Sequence, residues 1–277
     1  MTSPATAKWA DLGLRSVSAI VLMPVVLYAV WQGGIWFQLF LGVLAVLIAQ
    51  EWTTIVHGGS ARLFALLSLA GLSGVFVTQS QGLDAACAIT LVIWLLTVLA
   101  WLKNAGTGSI WSLLGVFYVA LPMIGFVLLR NDGTLGVWAV LWCFLIVWAA
   151  DVTAYFAGRM IGGPKLAPLL SPKKTWAGLG GAIVGAGGVS AIFAWYLDLN
   201  AVSLVILAAI LAVVEQAGDI CESAMKRRYG VKDSGNFMPG HGGVLDRVDG
   251  LLAVVLFAAI LGFAHRAGQP ATGLLRW

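Results

Sequence analysis

The sequence predicts an all-α, polytopic integral membrane protein with about nine transmembrane helices and a cytoplasmic N-terminus. Three observations predict it. Of the 277 residues, 60% are hydrophobic and only 10% are charged, against about 25% charged in a soluble domain. The apolar residues gather in continuous runs close to the ~20 residues that a spanning helix needs. Lys and Arg are distributed unevenly between the loops, as the positive-inside bias requires.

The same composition excludes other classes. A soluble fold of this size would expose apolar patches large enough to drive association. The scarcity of charge rules out a disordered chain. Three cysteines, with Cys87 and Cys143 in apolar runs, do not make a secreted disulfide scaffold. The runs are continuously apolar rather than alternating, so a transmembrane β-barrel is not expected. The net charge of +4 reflects the bias of the loops and not a nucleic-acid partner.

Taken in order, the candidate spans are 16–32, 35–50, 62–79, 84–102, 108–129, 135–158, 176–197, 200–218 and 249–265. The first follows Lys8 and Arg15 like a signal peptide. It lacks a small-residue cleavage site and a second span follows at once, so it reads as a retained helix. With the N-terminus in the cytoplasm, 13 of the 16 Lys and Arg fall on the cytoplasmic side. Only Arg130, Arg266 and Arg276 fall outside, which supports an odd number of spans. The chain 1–277 is a single transmembrane domain. Residues 1–130 carry little chemical information. The polar chemistry belongs to 135–265, with two long cytoplasmic loops at 159–175 and 219–248.

Six of the 12 acidic residues lie between positions 215 and 249. Glu215, Asp219, Glu222, Ser223 and Lys226 recur at spacings of three and four, which places them on one face of a helix. Asp246 and Asp249 share a face at the start of the last apolar run. Carboxylates brought together repel unless protonated or bridged by a cation. Oxygen ligands alone point to Mg²⁺, which takes one or two carboxylates and completes its shell with water and phosphate oxygens. Alone, Asp246 or Asp249 would serve equally well as the cap of the following helix. Between the acids lie Lys226, Arg227, Arg228 and Lys232, then Pro239-Gly240-His241-Gly242-Gly243. Cations beside carboxylates suit a phosphate–metal site, and glycines let backbone amides approach a polyphosphate. The basic run would also suit lipid headgroups, and the glycines an ordinary turn.

Upstream, Asp151 ends an apolar run four residues before Tyr155, with Gly158 and Arg159 following. Ser171-Pro172-Lys173-Lys174-Thr175 then precedes another span. The two lysines suit a phosphate grip or an interfacial anchor. No Walker A loop is present. No His/Cys cluster offers a zinc site, and His57 and His265 read as interfacial residues.

The run from Ser223 to Asp249, 27 residues long, closely resembles the signature of the phosphatidate cytidylyltransferases, the CDP-diacylglycerol synthases. Asp151–Arg159, Ser171–Thr175 and Gly218-Asp219 with Glu222 also look like that family. The N-terminal half agrees only in being a string of spans. One departure stands out. Family members often carry Glu after the Trp that follows Ser-Pro-Lys-Lys-Thr, and here the residue is Ala177.

The resemblance implies transfer of CMP from CTP to phosphatidic acid, giving CDP-diacylglycerol and pyrophosphate with Mg²⁺. It makes 135–265 the catalytic half. On that reading Asp219, Asp246 and Asp249 hold the metal, with Asp151 as a further or outer ligand. Asp246, Asp249, Lys226 and Arg247 are the catalytic set. Lys173, Lys174, Ser223, Arg227, Lys232, Asp233, His241, Gly242 and Gly243 contact the substrates. The partners are CTP, phosphatidic acid and the bilayer, and no nucleic acid. The resemblance leaves room for a homodimer and for a second, monovalent cation. A bacterial inner membrane, with the site at its cytoplasmic face, is the expected location. The rival reading is a transporter of a phosphorylated or anionic solute, whose charges would sit near the bilayer midplane in several helices.

Overall fold

The expected spans form helices that pack side by side, and they are named here in chain order. The computed structural model describes residues 23–103, 109–133, 135–235, 237 and 242–277. Helix α1 covers Met23–Gln32. It is followed by α2 Gly34–His57, α3 Ala61–Gln81, α4 Leu83–Lys103, α5 Ile110–Arg130 and α6 Leu135–Met160. A hairpin of β1 Lys165–Ala167 and β2 Ser171–Thr175 leads into α7 Trp176–Tyr196, α8 Ala201–Arg228, α9 Leu245–His265 and α10 Pro270–Leu275. Eight of these, α2 to α9, are long and apolar enough to cross a membrane. The first expected span, 16–32, lies partly outside the described residues, as do Lys8 and Arg15.

The structure departs from the sequence reading in several places: α2 runs on to His57, past the expected 35–50, and α9 starts at Leu245 rather than 249. Helix α8 continues through the polar residues to Arg228, so the second long loop shrinks to 229–244. Its acids and Lys226 recur at helical spacing, and those residues hold the turn where hydrophobicity no longer does. The loop 159–175 carries an antiparallel hairpin, with Lys165 opposite Thr175. Thr175 then caps α7 by accepting from the Gly178 amide at 3.0 Å. The short α10 was not foreseen, because six residues are too few for a periodic signal. It folds back onto α9, and Asp132 accepts from its Thr272 amide at 2.6 Å.

Helix α5 joins the two halves, touching α2, α3 and α4 on one side and α6 and α9 on the other. Small residues set the crossings, as in membrane bundles generally. Gly181 and Gly185 of α7 face Ala157 and Thr153 of α6, and a methyl group at either would collide with them. Trp142 reaches across the same interface to Ser190 at 2.9 Å. Helix α4 is the least buried of the spans, with Leu91, Val92, Leu95 and Leu99 exposed.

The bundle has two distinct polar ends. At one, Arg130 holds the carbonyls of Val30 and Trp31, and Asn131 donates to Gln79. At the other, His57 pairs with Ser112 at 2.7 Å, and the hairpin follows Arg159. The residues singled out by sequence gather at this second end.

Candidate functional site

Helix α8 presents its polar face as its periodicity predicts. Glu215 and Glu222 are 2% and 1% exposed. Gln216 donates to Glu215 at 2.7 Å, and Ser223 donates to Asp219 at 3.3 Å. Lys226 lies 2.5 Å from Glu222 and 2.7 Å from Asp246 of α9. Two glycines let the helices come this close. A methyl at Gly218 would stand 2.7 Å from the Ala253 methyl, and one at Gly250 would meet Glu215 at 3.0 Å.

The two aspartates of α9 have different surroundings. Asp246 accepts from Lys226, from the Ser234 amide at 2.9 Å and from the Gly243 amide at 3.0 Å. Its oxygens are therefore already engaged. Asp249 lies in the field of Asp219, which Lys226 and Lys174 oppose more weakly. Like charges converge there, offset in part by a backbone hydrogen bond from Gly250.

Beside this pair a cavity of about 390 Å³ opens between α6, the hairpin and α8. Asp151, Tyr155, Arg159, Lys173, Lys174 and Asp219 line it. Lys174 is paired with Asp219 at 2.7 Å. Arg159 donates to the Tyr155 hydroxyl at 2.8 Å. Lys173 is exposed. Asp151 lies beside Glu215 and in the field of Asp219, which the charges of Lys174 and Arg247 partly offset. An anion with several charges would meet cations on two walls and carboxylates on a third.

The remaining expected residues fall around this centre. Arg227 reaches toward the Leu170 carbonyl of the hairpin at 3.5 Å. Lys232 and Asp233 are exposed on the loop. Gly242 has φ +81, a conformation that glycine adopts freely. His241 lies outside the described residues. Three participants escaped the sequence reading. Glu51 of α2, 7% exposed, accepts from the Ser234 hydroxyl at 2.9 Å and from the Val244 and Leu245 amides at 2.8 and 2.7 Å. The buried hydroxyl of Tyr118, on α5, has no hydrogen-bond partner among the described residues and lies in the field of Asp249 and Glu222. Ser234 bridges Glu51 and Asp246. The one signal was Glu51 itself, an acid directly after the apolar run 35–50.

The donor set suits a hard divalent cation. Among the described residues, no three His, Cys, Asp or Glu side chains form a ready-made ligand sphere. Mg²⁺ does not require one, because it takes one or two carboxylates and fills its shell with water and phosphate oxygens. Asp219 and Asp249 offer such a pair. The unpartnered Tyr118 hydroxyl and Glu222 Oε1 are the orphaned polar atoms expected around a group that the protein alone does not complete.

Comparison with known proteins places this geometry in context. A model described as the cytidylyltransferase family matches residues 13–265. A phosphatidate cytidylyltransferase of Brucella abortus is 37% identical over 262 residues, covering 91% of this chain and 93% of the relative. One of Staphylococcus saprophyticus is 32% identical over 257 residues, covering 90% of this chain and 98% of the relative.

Proposed function

The chain belongs to the cytidylyltransferase family, and from that premise we propose that it is a membrane nucleotidyltransferase making CDP-diacylglycerol. It transfers CMP from CTP to phosphatidic acid. A phosphate oxygen of the lipid attacks the α-phosphorus of CTP, a new P–O bond forms, and the bond to the β-phosphate breaks. Pyrophosphate leaves with the electron pair. No general base is needed, since a phosphate monoester is already largely ionised near pH 7.

One observation carries the reading. A cavity with cationic and anionic walls opens at the boundary end of a bundle of apolar helices. A lipid can remain in the bilayer there while its headgroup meets a water-soluble nucleotide. Charge neutralisation and in-line positioning do most of the work in phosphoryl transfer. Lys173, Lys174 and Arg159 bind phosphate groups from the cavity wall. Arg227, Lys232 and Arg247 meet the triphosphate from the loop side. Lys226 steers charge while held between Glu222 and Asp246. Asp219, on releasing Lys174, and Asp249 would hold Mg²⁺, with Asp151 beside them. When bound, the ion neutralises phosphate charge. Asp246 would reach it only by releasing Lys226 or a backbone amide. The site faces the cytoplasm of a bacterial plasma membrane, where CTP is available.

The test uses purified protein in mild detergent with phosphatidic acid, labelled CTP and Mg²⁺. Label should enter the lipid phase with release of pyrophosphate, and EDTA should stop it. Folded protein that transfers no label would overturn the reading.

A further inference from the structure

Glu51 stands 183 residues before its nearest partner in sequence, yet its carboxylate accepts three hydrogen bonds. It receives the Ser234 hydroxyl and the amides of Val244 and Leu245. Those amides open α9, whose own N-cap residue, Val244, makes no side-chain cap. The first amides of a helix lack intrahelical partners, and negative charge is favoured beside them. A carboxylate from α2 therefore does for α9 what a local cap does elsewhere.

The contact is built tightly. A methyl at Gly235 would stand 2.9 Å from Glu51, and one at Gly243 would stand 2.5 Å from it. Glycine is the residue that lets the loop close down on the carboxylate from both sides. Asp246 then grips the same two segments. It takes the Ser234 and Gly243 amides, while Glu51 takes the Ser234 hydroxyl and the Val244 amide. Lys226 is fixed by Asp246. Glu51, the loop, Asp246 and Lys226 form one connected chain of hydrogen bonds.

We infer that Glu51 is a positioning residue for the transfer reaction, setting through Ser234 and the start of α9 where Asp246, Lys226 and Asp249 stand. This inference rests on the proposed function. It gives the N-terminal spans a part in the chemistry that their sequence does not announce. The cavity-wall cations Arg159, Lys173 and Lys174 lie on α6 and the hairpin, away from this linkage, whereas Lys232 and Arg247 lie on the loop and the first turn of α9 that it orders. Loosening it should therefore spoil transition-state geometry and spare binding at the cavity wall. A displacement of about 1 Å at reacting groups costs about 10²-fold.

The experiment compares full-length wild type with Glu51→Gln, which keeps the shape but turns amide hydrogens toward donors. The expected result is a fall in kcat of about tenfold or more, with KM for phosphatidic acid within about twofold and any rise in KM confined to CTP. Amide exchange should rise across residues 242–249 and stay unchanged inside α5 and α6. Ser234→Ala should reproduce part of the effect and add little to Glu51→Gln, since the two act through one linkage. Should Glu51→Gln not fold, Ser234→Ala alone carries both readouts. Wild-type kcat in the variants, or faster exchange spread evenly over the bundle, would overturn the inference. If wild type itself transfers no CMP, the functional reading falls. The exchange arm still decides whether Glu51 orders the loop.

Discussion

Asp246 and Asp249 sit three residues apart on one helix, yet they predict opposite consequences when neutralised. Three donors converge on Asp246. Asp246→Asn should leave part of that set unmatched, costing about 1–3 kcal/mol of stability as well as activity. Asp249 faces another carboxylate, so Asp249→Asn removes a repulsion. That variant should melt at or above the wild-type temperature and lose about 10²-fold or more in turnover. Thermal melts in detergent read the first quantity, and CMP transfer reads the second. Near-normal turnover in Asp249→Asn would remove it from the metal site. Lys226 belongs to the same comparison. Lys226→Met strips the partner from Glu222, which is 1% exposed, and breaking a buried pair from one side costs about 3–5 kcal/mol.

At the level of elements, the spacing of α8 and α9 decides how near Asp219 comes to Asp249. Gly218 sets that spacing. Gly218→Ala places a methyl 2.7 Å from the Ala253 methyl, and such overpacking costs about 1–3 kcal/mol. Activity should fall with it as the helices part. Adding Ala253→Gly removes the other methyl and should restore most of the transfer rate, less the helix cost of a second glycine, about 1 kcal/mol. A double variant no better than Gly218→Ala would place the effect elsewhere.

The same elements show what the sequence made legible. Continuous apolar runs announced the spanning helices, and spacings of three and four announced one polar face on α8. The Ser171–Thr175 lysines were visible, but the hairpin that aims Lys174 at Asp219 was not, since three- and five-residue strands leave almost no periodic trace. The acids of 215–249 could be read as a group, whereas their division could not. Whether Asp246 is engaged by Lys226 and amides, or free to meet a cation, depends on a loop closing over glycines. Glu51 was hidden for a different reason. Its meaning lies in partners 183 to 194 residues away, and local pattern carries no information at that distance.

For the whole molecule, the two polar ends give the topology a direct test. The end with His57, Ser112, Arg159 and Lys173 carries the site. The opposite end carries Arg130, Asp132 and Arg266. Thirteen of the 16 Lys and Arg belong to segments assigned to the first side, and such a bias orients a bundle with that side in the cytoplasm. The proposed reaction requires the same orientation, because a nucleotide triphosphate does not cross the bilayer unaided. Leu169 at the hairpin tip is 92% exposed, and Gly268 lies in the exposed turn between α9 and α10. In a background with Cys87, Cys143 and Cys221 replaced, Leu169→Cys and Gly268→Cys report the two ends separately. A thiol reagent that cannot cross membranes should label position 169 in inverted vesicles only, and position 268 in right-side-out vesicles only. Labelling of both from one side would mean that an odd number of spans does not separate them. The reverse pattern would put the cavity outside the cell, where the proposed reaction would have no nucleotide to use.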